Sequence, residues 1–270
     1  MKKLLMIGLC FVCVFSLAAC GGGSSNADSK DISTGGSTSM QELMEKIADK
    51  YNKLDQGTVT VQGGGSSVGI QGAIEGTFDV ANSSRALKSE EAKKLDATTI
   101  CLDGIAVVVN PKNGVKNITM DQLKQVFTGA ITNWKELGGV DKTIKVVARE
   151  EGSGTRDGFE SIVGMEAKDL VKSAEIQNAT GSVVSSVAGN QNAIGYISLG
   201  ALTSHVSALT VDGVQATEVN VSNQTYKLQR PFVMAVKKDS DVAKKLFDFI
   251  FSKDGKKIIE DMKYVPVEQK

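Results

Sequence analysis

Residues Ile144–Arg156 run Ile-Lys-Val-Val-Ala-Arg-Glu-Glu-Gly-Ser-Gly-Thr-Arg. Ile144 to Ala148 is short, apolar and rich in β-branched residues, which predicts a strand. It empties into Gly152-Ser153-Gly154-Thr155, a loop poised before a helix. A strand that passes through glycine and hydroxyl residues into a helix is the repeating unit of α/β folds, and ligands bind beyond the carboxyl ends of such strands. Successive N–H groups of this loop, with the hydroxyls of Ser153 and Thr155, can wrap an oxyanion. Arg149 can add a bidentate fork to its oxygens. Glu151, two residues on, is placed to orient that fork.

The same unit recurs along the chain. Thr58 to Gln62 alternates, with Val59 and Val61 on one side, and runs into Gly63-Gly64-Gly65-Ser66-Ser67 before a helix expected over 68–74. No Lys-Ser/Thr follows these glycines, and the GxGxxG spacing with a downstream acid is missing, which argues against a nucleotide. A strand over Phe78–Ala81 leads to Asn82-Ser83-Ser84-Arg85. Gly35-Gly36-Ser37-Thr38-Ser39 precedes an amphipathic helix whose buried face is Met40, Leu43, Met44, Ile47, Ala48 and Tyr51. Helix starts attract anions through free N–H groups and the positive dipole end. Ser39 and Glu42 also fit a capping box, and Thr119 with Gln122 repeats it before Leu123, Val126 and Phe127, with Gly129 suited to the end. Val242, Leu246, Phe249 and Ile250 stripe a late helix, and Ala193–Ile197 reads as a further strand.

This alternation predicts an α/β fold with largely parallel sheets. At 270 residues the chain exceeds the usual single-domain size, so two lobes are expected. Strands at Ile105–Val109 and Phe232–Val236 are the candidate crossovers. They divide the chain into a discontinuous lobe, 31–108 with 231–270, and a continuous lobe, 109–230.

Lys2 and Lys3 followed by the apolar run Leu4–Ala19 read as an export leader, too short for a membrane helix. The run ends in Leu17-Ala18-Ala19-Cys20, which resembles a bacterial lipobox. The expectation is a signal peptide over 1–19, a lipid on Cys20 and a Gly/Ser/Asn-rich tether over 20–30. Without Lys2 and Lys3 the balance is 29 basic against 31 acidic residues, too neutral for a nucleic-acid surface. An anion must therefore be caught by local geometry. Cys101 is the one cysteine left beyond the lipid site, so no internal disulfide forms, and its apolar flanks predict a buried, inert thiol. His205 has no orienting acid or nucleophile elbow near it and reads as a surface or hinge-side residue. Trp134 reads as a packing anchor, Lys256-Lys257 as a solvated helix face, and no Cys/His cluster offers a zinc site.

Taken together, Ala148–Thr155, Phe127-Thr128-Gly129-Ala130-Ile131-Thr132-Asn133-Trp134 and Ala193-Ile194-Gly195-Tyr196 resemble the PstS-type phosphate-binding proteins, in their shorter Gram-positive lipoprotein form. The resemblance covers nearly all of the mature chain. It implies a two-lobed periplasmic-binding-protein-like fold of type II, each lobe a mainly parallel sheet flanked by helices, with the ligand in the cleft between them. It implies capture of inorganic phosphate by cleft closure, for the membrane permease subunits of an ABC importer, by an extracytoplasmic, lipid-anchored monomer with no cofactor or catalytic residues. Carried over by position, Ser37, Thr38 and Ser39 would bind from the first helix start, and Ser66 from the glycine loop. Ser84 and Arg85 would bind from the third strand end, and Arg149, Ser153, Gly154 and Thr155 from the second lobe, with Glu151 paired to Arg149. Ser84 is a departure, because the Gram-negative members place an Asp there. Three alternatives remain open at the level of sequence. One is a receptor for another tetrahedral oxyanion such as sulfate; one is a surface phosphatase using Ser153; one is a lipoprotein that binds the anion only to report it.

Overall fold

The structure, a computed structural model, describes residues 31–54 and 56–269. The leader, Cys20 and the tether expected over 20–30 lie outside the described residues. In chain order the first part reads β1 (Ile32–Gly36), α1 (Gln41–Tyr51), β2 (Val59–Gly63), α2 (Ser66–Glu75), β3 (Val80–Ser83), α3 (Ser89–Ala92) and β4 (Leu95–Val109). Next come β5 (Asn117–Ile118), α4 (Met120–Thr128), β6 (Lys145–Arg149), α5 (Gly154–Val163), β7 (Glu175–Gln177), α6 (Thr180–Gly189) and β8 (Ala193–Ser198). Short strands β9 (Ser207–Ala208) and β10 (Thr210–Val211) and helix α7 (Glu218–Ser222) lead into β11 (Gln229–Lys237), α8 (Lys244–Phe251), α9 (Lys253–Asp261) and β12 (Val265–Pro266).

The main sheet runs β2-β1-β3-β11-β4-β8-β6-β7. It is mixed, not simply parallel. β2, β1 and β3 are parallel, as are β8, β6 and β7, and the two trios are joined by β11 and β4, which pair antiparallel with each other and with their neighbours. The α/β architecture of the sequence reading is thus present, with the antiparallel pair at its centre. One apolar core gathers α1, α8 and α9 around Ile32, Val59, Val80, Ile100, Cys101 and Phe232. A second gathers α4 and α5 around Ile105, Val107, Trp134, Ile194 and Tyr196. β4 passes from one to the other between Cys101 and Ile105, which explains its 15-residue length.

Register places the loops. Gly36 pairs with Gly63 on one side and with Asn82 on the other, so the segments after β1, β2 and β3 emerge side by side. Arg149 likewise pairs with Gln177, so the segments after β6 and β7 emerge together. Close approach of α2 to β1 makes this possible. A Cβ on Gly69 would collide with Gly35 O and lie 2.6 Å from Gly36 Cα, so only glycine fits.

Several local expectations hold and several shift. Thr119 and Gln122 form the capping box of α4, and Gly129 ends it at φ +83°. Trp134 is fully buried and donates Nε1–H to Asn192 O at 2.9 Å. Cys101 is buried and burial pushes its thiol up, out of reactive range, while His205 is exposed. Gly35 and Gly36, read as loop, belong to β1, because pairing on both sides outweighs the weak strand propensity of glycine. The strand expected over 78–81 sits two residues later, and α8 starts after Val242. Among the described residues no helix is long and apolar enough to cross a membrane.

Candidate functional site

Four helix starts converge on one cluster of hydroxyls. Ser37, Thr38 and Ser39 precede α1, Ser66 opens α2, Ser153 caps α5 ahead of Gly154 and Thr155, and Thr180 opens α6. The first N–H groups of each helix have no partner within it, and each carries the positive dipole end. The side chains interlock across the four elements. Ser39 Oγ is 2.8 Å from Thr155 Oγ1 and 3.0 Å from Thr180 Oγ1. Ser37 donates to Ser84 Oγ at 2.8 Å, Ser66 Oγ lies 3.3 Å from Ser84 Oγ, and Ser84 N–H donates to Ser66 Oγ at 3.0 Å. Ser37, Ser39, Ser66, Ser84, Ser153 and Thr155 are all buried. A hydroxyl rotates, so each of these can turn its hydrogen toward an anion.

Arg149 supplies the positive charge. It ends β6 at 2% exposure. Its Nη1 donates to Thr180 Oγ1 at 3.2 Å and its Nη2 to Thr38 Oγ1 at 3.0 Å, so the fork faces the cluster. Behind it, Nε and Nη2 donate to the two oxygens of Glu150 at 2.8 and 2.9 Å. The Arg149 backbone is held too: its N–H donates to Tyr196 Oη at 3.1 Å, and its carbonyl accepts from Arg156 Nη1 at 3.1 Å. Tyr196 is fixed in turn by stacking on Phe159, centroids 4.1 Å apart, and burial pushes its phenol up, so it stays neutral.

Gly154 matters through its missing side chain. A Cβ there would collide with Ser66 Oγ and lie 2.7 Å from Ser84 Oγ, so α5 comes this close to the α2 and β3 loops only because residue 154 is glycine.

Three expectations are corrected. The carboxylate that orients Arg149 is Glu150, not Glu151. Glu150 stays beside β7 through its N–H to Gln177 O at 3.1 Å, whereas the chain turns outward at Glu151 and Gly152 (φ +86°) and leaves Glu151 exposed. Arg85 is buried, but its guanidinium does not join the cluster. Nη1 and Nη2 donate to both oxygens of Glu91 at 2.8 Å, Nη1 also to Ala86 O, and Nε lies 2.9 Å from Asp157 Oδ2. Burial alone would raise the Glu91 carboxyl, but the Arg85 contact overcomes this and holds it below the usual range. Ser39 is not a helix cap either: Met40 occupies that position, and the hydroxyl turns to Thr155 and Thr180 instead.

Thr180 was missed in the sequence. Its signal was Asn178-Ala179-Thr180-Gly181-Ser182, another hydroxyl-rich stretch, but the strand before it is only three residues long and half-exposed. Among the described residues no group of three or more metal-ligating side chains is gathered.

The sequence matches the family described as a PBP superfamily domain over residues 22–254. It is 34% identical to the phosphate-binding protein PstS of Bacillus subtilis, over 99% of this chain and 95% of that one. A crystal structure with bound phosphate from Clostridium perfringens, assigned to a phosphate ABC transporter as its substrate-binding protein, superposes with a TM-score of 0.86 at 42% identity, over 88% of this chain and all of that one (100%). An ABC-type phosphate transport receptor from Vibrio cholerae superposes at 0.74 with 37% identity, over 87% and 100%.

Proposed function

The chain belongs to the PBP superfamily and, within it, to the PstS family of phosphate-binding proteins, and from that membership we propose that it captures inorganic phosphate outside the cytoplasm for the permease subunits of an ABC importer. One observation carries the reading: buried hydroxyls from four helix starts and a single Arg149 fork close on one point. Arg149 is already balanced by Glu150, so the anion is met chiefly by dipoles and hydroxyl donors. Such a site suits a small tetrahedral oxyanion. In this reading Ser37, Thr38, Ser39, Ser66, Ser84, Arg149, Ser153, Gly154, Thr155 and Thr180 form the pocket. The lobes are 31–108 with 231–270 and 109–230, and β4 and β11 cross between them. Ser153 serves here as the cap of α5, its oxygen accepting the Arg156 N–H.

A second oxyanion is favoured by one feature. Phosphate keeps a proton at neutral pH and sulfate does not, so a fixed carboxylate acceptor would reject sulfate. This pocket has the Ser84 hydroxyl instead, which can accept or donate. Melting and solution scattering with a panel of anions tests both readings. Phosphate at a hundred times its dissociation constant is expected to add about 2.7 kcal/mol and to contract the protein. Sulfate is expected to do less, and nucleotides nothing beyond contaminating phosphate. A larger effect of sulfate would make the chain a sulfate receptor, and equal stabilisation by ATP would remove the compact-anion site.

Attachment is proposed through a lipid on Cys20, with 20–30 as a tether. Cys20→Ser is expected to move the protein from the membrane fraction to the medium while phosphate affinity stays unchanged. Continued membrane attachment of that variant would rule the lipid out.

A further inference from the structure

Arg85 is an unusual residue to find beside an anion pocket without entering it. Its side chain is 8% exposed, and its partners come from both halves of the fold. Glu91, on α3 of its own half, takes the Nη1 and Nη2 edge, and the Glu91 carboxylate is itself anchored by the Lys88 N–H at 2.7 Å. The guanidinium is thus held toward α5, with Nε 2.9 Å from Asp157 Oδ2 in an ion pair that lacks hydrogen-bond alignment. Asp157 stands in the first turn of α5, the helix that brings Ser153, Gly154 and Thr155 to the pocket and packs on the other apolar core through Phe159. Beside this contact Ser67 N–H donates to Gly152 O at 3.0 Å, a second bond across the same seam, and Ser67 Oγ accepts from Arg85 Nη2 at 3.4 Å.

We propose that the Arg85–Asp157 ion pair is a latch across the cleft, formed only when α5 closes against the β3–α3 turn, and that it sets how slowly phosphate is released. The proposal rests on the phosphate reading above. Neither residue belongs to the hydroxyl cluster, so the pair acts through closure and not through the anion. Opening would leave Arg85 satisfied by Glu91 and return Asp157, 29% exposed even here, to water. The contact therefore favours the closed state alone, which is the condition for biasing a two-state equilibrium. Breaking a contact of this kind acts mainly on the off-rate. Asp157 also sits where an acid stabilises a helix start, but that contribution is present with or without ligand.

The test compares wild type, Asp157→Asn and Glu91→Gln in the mature chain, measuring release of radiolabelled phosphate into excess unlabelled phosphate, the on-rate, and melting without phosphate. Asp157→Asn is expected to speed release about tenfold with little change in on-rate. Glu91→Gln, which leaves the Asp157 contact in place but loosens the hold that positions Arg85, is expected to speed release less than Asp157→Asn does. If Asp157→Asn fails to fold, Asp157→Ala, a better helix former, takes its place. A wild type that binds no phosphate overturns the function as well as the latch. A wild type that binds, with an Asp157 variant that melts earlier yet releases at the native rate, overturns the latch alone and leaves Asp157 as a helix-end acid.

Discussion

Arg149→Ala is expected to weaken phosphate binding by about a hundredfold or more, while Lys257→Ala changes it by less than about twofold. Hydrogen bonds to charged groups contribute about 1.5–3 kcal/mol each, and Arg149 presents two donors to the cluster. Losing about 3 kcal/mol corresponds to roughly two factors of ten. A second effect adds to the first. With Arg149 gone, the Glu150 carboxylate is left half-buried beside the anion without its counter-charge. The double variant Arg149→Ala with Glu150→Gln is therefore expected to bind better than Arg149→Ala alone. Lys257, by contrast, is exposed on α9 and pairs with Asp261 at 3.0 Å. Titration calorimetry on the three variants decides the matter. Equal losses for Arg149→Ala and Lys257→Ala would place the pocket elsewhere, and a double variant no better than the single would mean that Glu150 does not face the anion.

Arg230→Met is expected to have the largest effect on stability, about 3–5 kcal/mol at neutral pH. Arg230 on β11 pairs in register with Asp103 on β4, where the two central strands pass between the cores. Its Nε and Nη2 donate to Asp103 Oδ2 at 3.0 and 2.8 Å, and both residues are buried. Ser198 Oγ and the Leu199 N–H donate to the other carboxylate oxygen at 2.8 and 3.1 Å, so the carboxylate is held from β4, β8 and β11 together. Burial already raises the Asp103 carboxyl, with Arg230 opposing the rise. Removing Arg230 leaves burial unopposed and raises it further. A carboxyl raised in the folded state binds protons the unfolded chain does not, so its contribution is full below the unfolded value near 3.8 and is lost as pH rises through the folded value. The deficit of Arg230→Met is therefore expected to shrink as pH falls from 7.5 toward 5. Denaturant titrations at both pH values check this. A deficit under about 1 kcal/mol, or one that grows toward pH 5, would show that Asp103 does not depend on Arg230 for its charge.

Asp103 and Arg230 themselves carried no signal in the chain. Strand propensity marked Ile105–Val109 and Phe232–Val236, but both strands extend further, through Asp103 and Arg230, because each charge has its partner 127 positions away. A buried charge is tolerable only when paired, and pairing at that distance is settled by the sheet and not by neighbours in sequence. The mixed direction of the central strands was hidden for the same reason, since periodicity reports which face of a strand is buried but not which way its partner runs.

What the sequence determined by itself was whatever is local. The strand-to-glycine-to-helix units at Val59–Ser67 and Lys145–Thr155, the capping box at Thr119, and the Gly129 stop all depend on residues within a few positions of one another. The same locality made Arg149 legible as a candidate anion fork. Tertiary structure decided where polar side chains turn once those units meet. Ser39 fits a local cap and is instead drawn to Thr155 and Thr180, 116 and 141 residues on. Arg85 looked like a ligand and is claimed by Glu91 and Asp157. Thr180 entered the pocket from a segment with little strand signal, because β7 aligns it with the end of β6. A hydroxyl or guanidinium has several partners of similar energy within reach of its own neighbours, and only the packing of distant elements removes all but one of them.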